Sequence, residues 1–326
     1  MRGQWQFVEK LFSTQEEGTS LALFRIGLGL TTLYALLSIA FAGLLGPLWT
    51  HVDHGGMSAV TGNWLVQLLG GATPGVVWGL WWTALAATLA FTLGVGGPIV
   101  GRLICLLVLQ SYNALVTINP YTMGGYDMLM TNGMWILFLA EPTATLSVHA
   151  RMRHGSFFSR TLVSAWPRYV LIAQLLMLYS LTGLQKTGVV WSPGGGYSAL
   201  YWVTQDQTWM RFDGELAAWM TLVLQVVTAI TWHWEQFSIL LLLWFYYRYT
   251  SERPGAFRAW ILKYDWRTLW AKVGIPLHVA ILVLLNVGAF SLVVLSFYVL
   301  FWRPDEWEQG YLRISKRLSR TPASES

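Results

Sequence analysis

Charge is what this sequence has least of. Its 326 residues include 21 Lys or Arg and 16 Asp or Glu, 11% of the chain, where a soluble globular protein carries roughly 25%. Apolar residues make up 55%, and the mean hydropathy is +0.47. One water-bathed core cannot hide that much apolar surface, so a water-soluble enzyme and a disordered chain are excluded. The net charge of +5 does not indicate a nucleic-acid partner. The basic residues sit in loops between apolar runs, which is a membrane-topology pattern rather than a phosphate-binding face. The single cysteine, Cys105, excludes a disulfide scaffold, a Cys-x-x-Cys redox motif and a cysteine zinc site within the chain. Residues 1–19 are polar, with Glu9, Lys10, Glu16 and Glu17. They lack the short apolar core and small-residue cleavage site of a signal peptide. There is no phosphate loop, nucleophile elbow or His-Glu-x-x-His pattern. The Gly194-Gly195-Gly196 run follows Trp191 and Pro193 with no strand before it, so it is not a dinucleotide fingerprint.

What the chain does have is long apolar runs. Each of residues 20–46, 74–95, 100–118, 126–146, 169–190 and 274–302 is long enough to span a bilayer, which takes about 20 residues. Residues 215–249 read either as two short spans or as one long span with a bent end, interrupted at His233-Trp234-Glu235. The runs are unbroken rather than alternating, which excludes a transmembrane β-barrel. The expectation is an all-α integral membrane protein, a polytopic helical bundle with about eight hydrophobic segments. Residues 1–19 form a cytoplasmic N-terminal segment, 20–302 the transmembrane domain and 303–326 a polar C-terminal tail. With the N-terminus inside, the loops 47–73 and 119–125 carry no Lys or Arg, while Arg102 and the linker bearing Arg151, Arg153, Arg160 and Arg168 fall inside. A single crossing by 215–249 puts the basic loop 252–272 inside as well.

Five ionisable residues lie in or at the edge of apolar segments, where charge is costly and faces an interior or a cavity. Arg25 sits in the first span: it either snorkels to the inner headgroups or pairs inside the bundle with Asp127 or Glu235, with Gly27 and Gly29 admitting a close helix. Asp127 follows the turn at Asn119-Pro120 and Gly124-Gly125 and opens a helix, where an acid complements the dipole; capping explains it, and a place in a pocket is also open. Lys186 ends a polar stripe of Tyr179, Thr182 and Gly183 at helical spacings of three and four. It is either a snorkelling residue with Trp191 as anchor or a desolvated amine able to act as a base. Glu235 heads directly into an apolar run. His278, near the start of the last span, shares a helix face with Asn286 roughly two turns away. No second His stands at metal spacing, so no haem or zinc site is expected.

These segments resemble the HTTM (horizontally transferred transmembrane) domain, related to the membrane part of vitamin K-dependent gamma-carboxylases. Residues Ser20-Leu21-Ala22-Leu23-Phe24-Arg25 look like the family's first-helix signature. Asn119-Pro120 with Gly124-Gly125-Tyr126-Asp127 is similar to the bacterial branch, and Tyr179 to Trp191 to the Tyr, Gly, Lys, Trp segment. Glu235 matches an acidic position at the start of a late helix, and His278, Gly288, Phe290 and Ser291 reproduce the late His and Gly-x-Phe-Ser spacing. The resemblance covers roughly residues 18–308. It implies that Lys186 matches the base that deprotonates vitamin K hydroquinone. The carboxylases have Asn-Asn-His where this chain has Gly124-Gly125-Tyr126-Asp127, and they continue into a large extramembrane domain, so glutamyl carboxylation is not carried over.

The leading expectation is a bacterial inner-membrane, multi-pass protein with an intramembrane polar pocket of Arg25, Asp127, Lys186, Glu235 and His278. Lys186 would be the base on a quinone such as vitamin K or another lipid-like or peptide substrate. Arg25 and Glu235 would form a buried pair, and the 191–214 loop would cover the entrance. No metal cofactor and no nucleic acid enter this reading, and its surroundings are the lipid bilayer. The alternative is a non-catalytic accessory factor in maturation or export of a secreted peptide, docking a membrane or secreted protein through its Trp-rich loops. A small-solute transporter is the weakest reading, because paired broken helices and an internal repeat are missing.

Overall fold

The computed structural model describes residues 9–318, with side chains to residue 313. The portions of the expected N-terminal segment and C-terminal tail at 1–8 and 319–326 lie outside the described residues. A short strand β1 (Gln15–Glu17) precedes helices α1 (Thr19–Phe41), α2 (Pro74–Leu93), α3 (Pro98–Ile118) and α4 (Gly125–Leu139). Strand β2 (Leu162–Ser164) precedes α5 (Trp166–Gln185), α6 (Thr221–Gln236), α7 (Leu240–Tyr249), α8 (Trp266–Leu284), α9 (Phe290–Tyr298) and α10 (Pro304–Leu318). Shorter helical turns fill the connections. Helices α1, α2, α3 and α8 are long and apolar enough to cross a membrane, and α6 with α7, bent by 50°, makes a fifth if the pair is one span. Exposed Trp78, Trp82, Leu89, Leu103 and Leu107 on α2 and α3 give those helices an outer face suited to lipid rather than water. The protein is a helical membrane protein. Among the described residues its named strands are β1 and β2, paired antiparallel with Gln15 opposite Ser164.

The described residues form two compact units, one reaching Tyr169 and resuming at Val299, the other Val170–Tyr298. In the first, α2 begins with the Thr73 hydroxyl accepting from the Val76 amide and Pro74 at the first turn, and ends at Gly94 with φ +66°. Pro98 then starts α3, because its fixed φ suits a first turn and its missing N–H would be unpaired there in any case. Gly29 lets α1 close on α2: a Cβ there would lie 2.2 Å from the Thr92 hydroxyl and 3.2 Å from its Cα. Gly133 of α4 likewise faces Phe24 and Leu28 of α1. Strand β2 and the start of α5 are tied to β1 by Arg168, whose Nε and Nη2 reach the Glu16 carboxylate at 2.6 and 2.7 Å. Arg168 Nη1 donates to the Leu300 carbonyl at 3.2 Å. A residue read from sequence as a loop charge is thus 1% exposed.

Three segments end differently from the sequence expectation. The run at 126–146 is helical only to Leu139, because Pro142 biases the preceding residue out of the helical region. Residues 169–190 are helical to Gln185, leaving Lys186 just past the end of α5. The last run, 274–302, is broken: α8 stops at Leu284, Gly288 adopts φ +58°, and the Asn286 amide donates to the Trp209 carbonyl at 2.7 Å. Asn286 is exposed and outside the helix, so it does not share a helix face with His278.

Candidate functional site

The Val170–Tyr298 unit brings together Lys186, Glu235 and His278. Lys186 donates to the Glu235 carboxylate, and its ammonium lies 4.4 Å from the centre of the Trp191 ring. The Lys186 side chain is 23% exposed and that of Glu235 10%. Two features of α5 make this contact. Gly183 abuts the end of α6, where a Cβ would lie 2.7 Å from the Gln236 amide nitrogen and 2.9 Å from the Glu235 Cβ. The Ser180 hydroxyl, one turn earlier, accepts from the Ile239 amide at 2.8 Å and donates toward the Glu235 and Gln236 carbonyls. The break between α6 and α7 is thereby pinned to α5. Glu235 stands in the last turn of α6, where the helix dipole disfavours an acid. Its local cost is offset by the cation that the fold places opposite it.

The sequence stripe is partly realised. Tyr179 and Gly183 are buried and Lys186 half-buried, while the Thr182 hydroxyl turns back to the Tyr179 carbonyl at 2.9 Å. The Tyr179 hydroxyl shares a hydrogen bond with His278 Nε2 and lies 3.5 Å from the Tyr298 hydroxyl. Gly274 makes room for this cluster, since a Cβ there would meet both the Tyr298 hydroxyl and the Trp234 ring. His278 Nδ1 is buried with no hydrogen-bond partner among the described residues. Trp234 and Trp270 stack at 4.6 Å and pack edgewise on Tyr179 at 4.7 and 5.5 Å.

The same two indoles form part of the wall of a cavity of about 560 Å³, completed by Trp244, Trp260, Trp266 and apolar residues. Lys186 and Glu235 do not line it; Glu235 is joined to it through its neighbour Trp234. Volume and lining fit an aromatic ring or a hydrocarbon tail. Sequence reasoning missed Ser180, Tyr298, Trp234 and Trp270. The available signal was the run of small and hydroxyl residues on α5, but the aromatic residues carry no pattern beyond apolar burial.

Arg25 and Asp127 belong to the other unit, each with partners of its own. Arg25 is fully buried; Nη1 donates to the Pro142 carbonyl and Nη2 to the Leu146 carbonyl, both at 2.6 Å. It neither snorkels nor forms the expected pair with Glu235, whose carboxylate is held by Lys186. The reason is the interruption after α4, which leaves carbonyls without helical donors. Asp127 Oδ2 accepts from the Gly124 amide at 2.7 Å and Oδ1 from the Tyr112 hydroxyl at 2.5 Å, so it caps α4 and ties it to α3. Residues 191–214 pack on α6, with the Leu200 amide donating to the Thr228 hydroxyl at 3.2 Å, and Met210 bridges to Leu285.

No family model matches the chain, and neither a curated protein nor a solved structure matches it.

Proposed function

We propose that this is a multi-pass HTTM-type protein of the bacterial inner membrane, with about eight hydrophobic segments, in which Lys186 acts as a base on a lipid-like substrate of the quinone class. The observation that carries this reading is the Lys186–Glu235 contact, held by Ser180 and Gly183 and capped by Trp191. An amine acts as a base only when neutral, and a carboxylate in contact with it can take up its proton. The pair therefore supplies both an acceptor for a substrate hydroxyl proton and a reservoir for the amine's own. The aromatic cavity beside Trp234 suits the ring or prenyl tail of such a substrate. Tyr179 and His278 position the indole wall and offer a hydroxyl and a ring nitrogen behind it. In this reading Arg25 and Asp127 shape the scaffold, and no metal takes part.

The test uses the full chain in nanodiscs with reduced vitamin K and a menaquinol as probes and dissolved dioxygen as the two-electron oxidant, consumption being read above a protein-free control. Wild type consumes one of them, and Lys186→Ala inserts and folds but does not. Lys186→Ala turning over at the wild-type rate, or wild type leaving both quinols untouched, overturns the reading. The accessory-factor alternative draws on one observation: Trp219 and Trp202 in the 191–220 region are 89% and 58% exposed, more than a closed enzyme needs. Replacing both by Ser leaves quinol turnover intact if they serve only a partner.

A further inference from the structure

A second cavity lies in the other unit, at the end where α3 and α5 begin and α4 stops. It has a volume of about 140 Å³ and is lined by Arg102, Glu141, Gln15, Ser164 and Trp166 among others. That is far more than the roughly 10–15 Å³ that admits one water. Arg102 donates only its Nε, to the Ala140 carbonyl at 3.3 Å. Among the described residues its two terminal NH₂ groups have no partner. The Glu141 carboxylate likewise has none among the described residues, and no ion pair joins it to Arg102. One small polar chamber therefore presents a guanidinium fork and a separate carboxylate, with an amide and a hydroxyl beside them.

The surroundings identify the source of a ligand for these two charges. Arg102 is in the second turn of α3, and Glu141 stands two residues past the end of α4, so the chamber stands at the margin of the apolar helices. Leu103, Leu139 and Leu162 beside it are each more than half exposed, which gives hydrocarbon chains an apolar surface next to the polar chamber. Arg151, Arg153 and Arg160 are in the neighbouring 148–160 segment, the charge pattern of a cytoplasmic face.

We propose that this chamber binds the headgroup of a zwitterionic phospholipid bearing a primary ammonium, that is, phosphatidylethanolamine. The Arg102 fork takes the phosphate, for which planar paired donors are suited. Glu141 accepts from the ammonium. A quaternary choline ammonium has no N–H to give, and an anionic glycerol headgroup brings no cation to the carboxylate, so both bind less well.

The experiment is native mass spectrometry of the full-length protein, delipidated and titrated with phosphatidylethanolamine, phosphatidylcholine and phosphatidylglycerol, with soluble glycerophosphoethanolamine as competitor. The expected result is one phosphatidylethanolamine held about tenfold more tightly than either other lipid, equivalent to about 1.4 kcal/mol. Arg102→Gln weakens it and Arg102→Lys restores part of the binding. Glu141→Gln, which leaves the Ala140 contact untouched, abolishes the preference over phosphatidylglycerol while phosphate binding remains. Equal binding of the three lipids by wild type, or an unchanged preference in Glu141→Gln, overturns the proposal. Displacement of the lipid by an equimolar amount of the soluble headgroup shows a soluble ligand and overturns the lipid assignment.

Discussion

Arg25 joins two facts that look unrelated in the sequence, a charge in the first apolar run and a Pro sixteen residues after Tyr126. Pro142 ends α4 early and the following chain turns tightly, with Leu146 at φ +48°, a conformation that costs a bulky residue of order 1–3 kcal/mol. Arg25 holds that turn through the Pro142 and Leu146 carbonyls, and Gly94 leaves space for its guanidinium. Arg25→Met, similar in length but without donors, strands both carbonyls and is expected to cost about 2–4 kcal/mol. The check is a lower unfolding midpoint in detergent, with quinol turnover per folded molecule retained. Gly183 makes the complementary prediction in the other unit. Gly183→Ala drives a methyl into the Gln236 backbone, where nothing flexible can yield. It is expected to lose about 1–3 kcal/mol by overpacking and to separate Glu235 from Lys186, so that turnover falls more than the folded fraction does.

At the scale of elements, the bend between α6 and α7 is the feature on which the candidate site depends. Three of its fixings come from outside the pair: Ser180 accepts from the Ile239 amide, the Trp270 indole donates to the Ser238 hydroxyl at 2.9 Å, and the Trp234 indole donates to the Trp270 carbonyl at 3.2 Å. Ser180→Ala removes the acceptor for a half-buried amide and is expected to cost about 1–3 kcal/mol, visible as faster amide exchange at residues 237–240. Helix α8 offers a pH test. The Asp265 side chain caps it, accepting from the Thr268 amide at 3.2 Å. Partial burial alone would raise this carboxyl, but hydrogen bonds from Arg267 and Thr268 and the Arg267 charge bring it below its ordinary 3.8. A carboxylate lowered on folding stabilises above its unfolded value and loses that contribution as pH falls through the folded one. Protection of the first turn of α8 is therefore expected to fall below about pH 4, and Asp265→Asn to make it flatter with pH while keeping the cap.

For the whole molecule, the crossing of residues 221–249 is the open topological variable, and it is accessible to labelling. If α6 and α7 form one bent span, cysteines placed at the exposed positions Asp206 and Ser251 react from opposite sides of the membrane. Reaction from the same side means that the pair enters and leaves by one face. The native thiol does not interfere, because Cys105 is buried and its hydrogen points to the Met134 carbonyl at 3.3 Å. Much of the fold was legible beforehand. The starts and ends of α1, α2 and α3 fall within a few residues of the apolar runs, because a segment that must satisfy every backbone group in hydrocarbon becomes a helix whatever its neighbours do. The break at 285–289 was not legible: Asn286 and Gly288 lie in an apolar run, and only the Trp209 carbonyl, distant in sequence, gives the freed Asn286 amide a partner.

The sequence by itself determined the class of protein, the main helices and which ionisable residues are exceptional, since bilayer burial is a property of composition and local pattern. The tertiary structure decided how those residues are grouped. Four charges and a histidine singled out by their neighbourhoods gave no indication of who meets whom: Arg25 went to backbone carbonyls, Asp127 to a helix start and a tyrosine, and Lys186 to Glu235. The physical reason is that the energy of a buried charge depends on the partner within a few ångströms, and that partner is set by where helices stop, by glycines that let them approach and by a serine that fixes a bend.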